Sequence, residues 1–258
     1  MPEGDTIHHS AGRIAPVLEG RVPDEILTPQ PRHGRDGWPQ RLAGRAVESV
    51  TARGKHLLIA FERGLVLHSH LRMTGLWSVR RAGERWPRAR HRAWLVIRSG
   101  DTDVIQFDGP LLELITAARA RGDRRLLTLG PDIVAGEFDE ALVLRRLRED
   151  DPTRGIGDAL MDQHTVAGIG NMWKSEACFG AAVDPWRAAG EVSDDEVLAI
   201  VREARPRMRA SAVGGHAVVK HAVYGRAGRP CPRCGAPIRR RGQGDGNRST
   251  YWCESCQH

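Results

Sequence analysis

The chain has 258 residues, 40% apolar and 28% charged, an ordinary globular composition with room for two compact domains and a small module. Thirty-nine Lys and Arg against 32 Asp and Glu give a net charge of +7. With a pI near 9.7, this excess favours a polyanionic partner. No apolar run approaches the roughly 18 residues of a membrane span, and the start lacks the apolar stretch of a signal peptide. A cytosolic protein without a membrane partner is expected.

The chain opens Met1-Pro2-Glu3-Gly4-Asp5. Loss of Met1 would free the Pro2 nitrogen as a terminal secondary amine, a nucleophile toward aldehyde carbons. A free α-amine titrates near about 7.7–8.0, so part of it is neutral at physiological pH. Residues 6–18 carry Ile7, Ala11, Ile14 and Leu18 at helical spacing, which predicts an amphipathic helix. Pro2 and Glu3 would then lie ahead of its positive dipole end. Asp5 and Thr6 read as capping residues, and His8 and His9 as helix surface.

Short β-branched runs follow at 46–51, 56–61, 65–71, 77–80, 93–98 and 104–107. Six such strands between Gly and Arg/Gly turns predict a sandwich or barrel. The basic stretch 81–92, with Pro87, reads as a loop. A linker at Gly130-Pro131-Asp132 ends the first domain.

The pattern then turns helical. Residues 138–148 are periodic, and Ser193 to Glu196 is a capping-box signature before a helix over 197–209, which Pro206 should kink or end. Residues 157–180 read as two helices around the glycine hairpin Ala167-Gly-Ile-Gly170. Cys178 reads as a small buried apolar residue. Cys231-x-x-Cys234 and Cys253-x-x-Cys256 are separated by 18 residues. That spacing fits one structural zinc, with a redox disulfide pair the alternative. Residues 226–258 are too few to hold a core without metal. An amine nucleophile on a basic, zinc-containing chain points to covalent chemistry on nucleic acid.

Six pieces in order carry a resemblance: Pro2-Glu3-Gly4; Gly54-Lys55-His56; His70-Leu71-Arg72-Met73-Thr74-Gly75; Leu129-Gly130-Pro131; Gly168-Ile-Gly-Asn171 with Lys174-Ser-Glu176; and the cysteine module with Asn247-Arg248-Ser249-Thr250. Along nearly its whole length the chain resembles the formamidopyrimidine-DNA glycosylase and endonuclease VIII superfamily, and endonuclease VIII most. The resemblance implies an α+β multidomain fold. Its parts are an N-terminal β-sandwich with flanking helices (1–134), a helix–two-turn–helix domain (135–226) and a C-terminal β-hairpin zinc finger (227–258).

The resemblance also implies roles. Pro2 would attack C1′ of a damaged nucleotide, with Glu3 as its acid/base partner. Lys55 would contact the phosphate beside the lesion and assist base release. Arg248 would grip the phosphates flanking the flipped nucleotide, with Arg239, Arg240 and Arg241 as general backbone contacts. His70 and Asn171 would bind phosphate, Asn171 having a helix N-cap as its alternative. Met73, with Leu71 and Arg72, would fill the gap left by the flipped base. The implied partner is damaged DNA, the implied setting the bacterial cytosol and nucleoid, and one wedge per lesion suggests a monomer.

The resemblance implies that the oxidised-purine branch carries a second Arg and Phe wedge and a long capping loop, and two absences here favour the oxidised-pyrimidine branch. No second Arg and Phe wedge stands in Phe107-Asp-Gly-Pro-Leu-Leu-Glu-Leu114, and little capping loop lies between Gly214 and Tyr224. The expected activity is a bifunctional glycosylase and abasic-site lyase of base excision repair, cleaving the strand by β/δ-elimination. The alternatives are an 8-oxoguanine enzyme of the same superfamily and a non-catalytic lesion-binding zinc-finger protein.

Overall fold

The computed structural model describes residues 2–258; the expected loss of Met1 falls outside the described residues. Two compact units divide the chain. One comprises Pro2 with Thr6–Leu127, the other Glu3–Asp5 with Thr128–His258.

Helix α1 (Gly4–Leu18) begins two residues earlier than its apolar period suggests, and its stripe Ile7, Ala11, Ile14 and Leu18 is buried as expected. After it come β1 (Glu25–Leu27), α2 (Pro31–Arg35) and α3 (Trp38–Leu42). Then follow β2 (Val47–Arg53), β3 (His56–Phe61), β4 (Leu65–His70) and β5 (Leu76–Arg81). The unit closes with β6 (Ala93–Ser99), β7 (Thr102–Phe107), β8 (Leu111–Thr116), α4 (Ala117–Arg121) and α5 (Arg124–Leu127).

The strands form two antiparallel four-stranded sheets, ordered β1-β6-β7-β5 and β2-β3-β4-β8. One apolar core joins them, with Ile59, Phe61 and Leu67 from one sheet, Leu95, Ile97 and Val104 from the other, and Ile7 and Ile14 from α1. Two strands escape the sequence pattern. β1 is three residues long. β8 reads Leu-Leu-Glu-Leu-Ile-Thr and is partly buried on both faces, so it does not alternate.

The second unit contains α6 (Glu140–Glu149), α7 (Ile156–Ala159), α8 (Asn171–Gly180) and α9 (Asp194–Gly214). The hairpin β9 (Arg239–Gln243) and β10 (Arg248–Trp252) follows. Ser193 and Glu196 form the expected capping box. Pro206, expected to kink or end α9, does not end it: the helix continues to Gly214. Buried Met208 and Ser211 beyond the proline continue the face begun by Val197, Ile200, Val201 and Ala204. Tertiary packing thus outweighs the one backbone bond that proline removes.

Helix α8 is unusual in burying four polar side chains, Asn171, Lys174, Ser175 and Glu176. Glu176 shows how this is possible. Its Oε1 accepts the Val223 and Tyr224 N–H groups at 2.9 and 2.8 Å. Its Oε2 accepts the Ala222 N–H at 2.9 Å and Arg207 Nη2 at 3.0 Å. Burial alone would raise the carboxyl pKa, but the three N–H donors and Arg207 hold it below its ordinary 4.5. Replacing Glu176 by Gln is therefore expected to cost about 2–3 kcal/mol near neutral pH. A carboxyl with a depressed folded pKa contributes its full stability above the unfolded value and loses it as pH falls through the folded one. The melting-temperature gap between wild type and Glu176→Gln should accordingly close on acidification below 4.5.

Candidate active site

Glu3 lies on the N-terminus of α8. Its Oε2 accepts the Gly170 and Trp173 N–H groups at 3.0 and 3.2 Å, and its Oε1 accepts Met172 N–H at 2.8 Å. The side chain is 1% exposed. Glu3 directly precedes α1, as expected, but its carboxyl group lies on the start of α8, because the chain at Glu3 packs against the glycine turn 165 residues on. A helix start with orphan N–H donors suits an anion.

The glycines of that turn serve this contact. A Cβ on Gly170 would lie 2.4 Å from the Glu3 carboxyl carbon, and one on Gly4 would lie 2.7 Å from Gly168 Cα. Gly4 N–H donates to the Gly168 carbonyl at 2.9 Å. Asp5, expected as a cap, is instead buried and accepts Ser211 Oγ at 2.6 Å. Pro2, half-buried, immediately precedes this locked segment.

Asn171, expected on phosphate, is 6% exposed. Its Nδ2 donates to the Ser249 carbonyl of β10 at 2.8 Å, so the amide braces the hairpin against α8. Lys174, part of the resemblance but given no role from the sequence, is fully buried and donates through Nζ to Gln243 Oε1 at 3.1 Å. Burial brings its pKa down to about 8; Arg248 pushes the same way, while Cys178, Asp158 and Glu3 oppose. Nothing in the sequence marks it as buried, since lysines on amphipathic helices usually face solvent. Cys178 is buried, and its thiol is pushed up to about 12 by desolvation, in keeping with a packing role. Arg248 is exposed at the start of β10. Of its neighbours on the module, Arg239 reaches Glu254, Arg240 reaches Ser249 Oγ, and Arg241 stacks 3.6 Å over the Trp186 ring.

In the first unit, Lys55 sits with Gly54 at the two-residue turn between β2 and β3, closed by the Arg53–His56 pair, rather than within a strand. Beside it are three imidazoles. His56 Nδ1 lies 2.8 Å from His68 Nε2, and the His56 and His70 rings are 4.7 Å apart. Burial, reinforced by mutual repulsion of the protonated rings and by nearby Arg and Lys, lowers His56 to about 3 and His70 to about 4. The cluster is neutral at physiological pH. Because Arg72 N–H donates to His70 Nδ1 at 3.0 Å, the neutral His70 ring carries its proton on Nε2. His68 is fully buried.

The wedge segment divides. Leu71 is 1% exposed and packed in the core, so it is not part of an exposed wedge; its side chain continues the inward face of β4. Arg72 then adopts φ +50° and reverses the chain. Met73 is left 65% exposed, which excludes core packing for it.

The four cysteines of the hairpin module bring their Sγ atoms within 4.8 Å of one another. Cys231–Cys256 and Cys234–Cys253 are 3.9 and 3.5 Å apart. Sulfurs about 2.3 Å from a tetrahedral zinc are about 3.8 Å from each other, so the set fits one structural zinc. Disulfide sulfurs would be about 2.05 Å apart.

Comparison with known proteins gives the same picture. Residues 1–110 match the family described as formamidopyrimidine-DNA glycosylase N-terminal domain, 129–221 the formamidopyrimidine-DNA glycosylase H2TH domain, and 228–258 the zinc finger found in FPG and IleRS. The chain is 40% identical to a probable endonuclease 8 2 of Streptomyces coelicolor, covering all of this chain and 94% of that protein. It is 34% identical to the DNA-(apurinic or apyrimidinic site) lyase Nei2 of Mycolicibacterium smegmatis, over 100% and 99%. It is 32% identical to the formamidopyrimidine-DNA glycosylase of Thermus thermophilus, over 100% and 98%. Among solved structures, the Lactococcus lactis Fpg complex with N7-benzyl-Fapy-dG DNA superposes with a TM-score of 0.83 at 25% identity, covering both chains fully. The chain belongs to the formamidopyrimidine-DNA glycosylase and endonuclease VIII family.

Proposed function

We propose that this family member is a bifunctional DNA glycosylase and abasic-site lyase that prefers oxidised pyrimidines and uses Pro2 as its nucleophile. The observation that carries the reading is the Glu3 carboxylate held by three N–H groups at the start of α8, which fixes the backbone next to Pro2. Precise positioning of a nucleophile is worth several kcal/mol of barrier. The Pro2 nitrogen attacks C1′, the glycosidic bond breaks, and the base leaves with its bonding pair. Glu3 exchanges a proton with the opening sugar. A secondary amine gives an iminium that is positive without protonation. It draws electrons from C2′, and loss of the C2′ proton expels the 3′ phosphate, with a second elimination at the 5′ side.

Lys55, His70 and Arg248 are read as phosphate contacts, with His70 a neutral donor. Met73 is read as the wedge in the vacated stack. Asn171 and Lys174 hold the finger hairpin to α8 through Ser249 and Gln243. Zinc is structural here and takes no part in the chemistry.

Two features favour pyrimidines. The turn after β7 runs only Asp108-Gly109-Pro110 before β8, with no second wedge. The chain after α9 passes through a short 3-10 turn, His216–Val218, and is tied down at 222–224 by Glu176.

Borohydride trapping tests the chemistry, with mass spectrometry to establish Met1 removal. Processed protein should form a covalent complex with abasic and thymine glycol duplexes, and Met1-retaining protein should form none. Trapping mainly on 8-oxoguanine would reverse the substrate preference; no trapping on any duplex would sink the iminium mechanism. Glu3→Gln should slow base release by about a hundredfold or more, read as single-turnover excision. Chelation of the metal should unfold the finger, since its small core of Phe179, Val223, Ile238 and the cysteines cannot stand alone. Tryptophan fluorescence of Trp252 and loss of DNA binding, both restored by zinc, would report it.

A further inference from the structure

A wedge must hold its place while a base pair opens, and a side chain 65% exposed has little packing of its own to fix it. Within the turn, Gly75 N–H donates to the Leu71 carbonyl at 2.8 Å. The remaining support comes from the basic loop between β5 and β6 and from the turn after β7. Arg88 Nη1 donates to the Thr74 carbonyl at 2.6 Å and also to Asp108 Oδ2. Arg92 Nε donates to Asp108 Oδ1 at 3.1 Å, and its Nη2 lies 2.7 Å from Oδ2. Thr74 Oγ1 donates to the Asp108 carbonyl at 3.4 Å. Asp108 itself sits at φ +46°, a conformation that non-glycine residues adopt at a cost.

The loop is anchored in turn. Trp86 packs edge-on against Phe107 at 5.8 Å, and the Arg90 guanidinium lies 4.9 Å over the Trp86 ring. Partly exposed ion pairs add little to folding stability. A strained carboxylate shared by two guanidiniums, one of them bonded to the residue after Met73, does something different: it fixes a position.

We propose that Arg88, Arg92 and Asp108 are positioning residues that brace the Met73 turn, so that the basic loop serves in opening the duplex. The inference rests on reading Met73 as the wedge. A brace for the wedge matters only where there is a base stack to enter, which separates it from a general phosphate contact or a purely structural role.

The test is single-turnover excision of one oxidised pyrimidine, in duplex and in single-stranded DNA, with melting temperatures of each variant. Met73→Ala, measured alongside, fixes the duplex-to-single-strand ratio that loss of the wedge produces. Arg88→Met should lower the duplex rate about tenfold while the single-strand rate stays within about twofold. Arg88→Lys, which keeps one donor for the Thr74 carbonyl, should recover most of the loss. Arg92→Met, which removes the guanidinium's bonds to Asp108 but none to the Met73 turn itself, should fall between. Asp108 is left intact because a change there could unfold the strained turn.

Equal loss on both substrates, or a loss that tracks melting temperature, would overturn the brace, as would an Arg88→Met variant indistinguishable from wild type. If Met73→Ala shows no duplex-specific loss, the wedge reading fails and takes the brace with it. If the wild type excises nothing, the fault lies in the proposed activity.

Discussion

The hydrogen bonds from the start of α8 to the Glu3 carboxylate are the constraint on which the second unit depends. A buried carboxylate without partners would cost several kcal/mol. Here three N–H groups that a helix start leaves unpaired meet an anion that needs them. The two deficits cancel only if the backbone can come close enough. That is why Gly170 faces the carboxyl group and why Gly4 lies against Gly168. Cβ atoms at these places would push the chain away, and with it the residue following Pro2.

The same helix carries the next attachments in order. Asn171 reaches the Ser249 carbonyl, Lys174 reaches Gln243, Ser175 Oγ receives Tyr251 N–H at 3.4 Å, and Glu176 gathers the backbone of 222–224. Helix α8 is thus a polar spine, and each of these four side chains has a partner on a different segment. Apolar residues would pack the helix but would not specify which segment lies where. Gln243 extends the network: it accepts Lys174 and Thr250 and donates to the Pro185 carbonyl at 2.7 Å. The finger, with a core too small to fold alone, is held by metal on one side and by this network on the other.

Much of this was legible in the chain, and the boundary of legibility has a physical basis. The α1 stripe, the alternating strands, the α9 capping box and the cysteine spacing each depend on neighbours close in sequence, and each stands in the structure. β8 was hidden because both of its faces are half-covered. The passage of α9 through Pro206 was hidden because buried side chains on either side of the proline decide it. The site motifs were visible as strings, but not the direction of each side chain. Leu71 and Met73 are two residues apart, which in an unbroken strand would put them on one face. The left-handed Arg72 between them separates their fates.

That separation bears on how the site residues should be weighed. Motif membership placed Asn171 and Leu71 on DNA, yet one is bonded to a neighbouring strand and the other is sealed in the core. It gave no role to Lys174 or His56, although burial and hydrogen bonding mark them as placed groups. Residues that must meet a large, water-excluding ligand such as a duplex need to be exposed beforehand, and Met73, Arg72 and Arg248 are. Residues that hold those in place need partners for their polar groups instead. Glu3 fits the second description and stands beside a candidate of the first kind, Pro2. The proposed iminium chemistry calls for a positioned carboxyl group next to its nucleophile, and rigid support from α8 is what would make the Glu3–Pro2 adjacency useful.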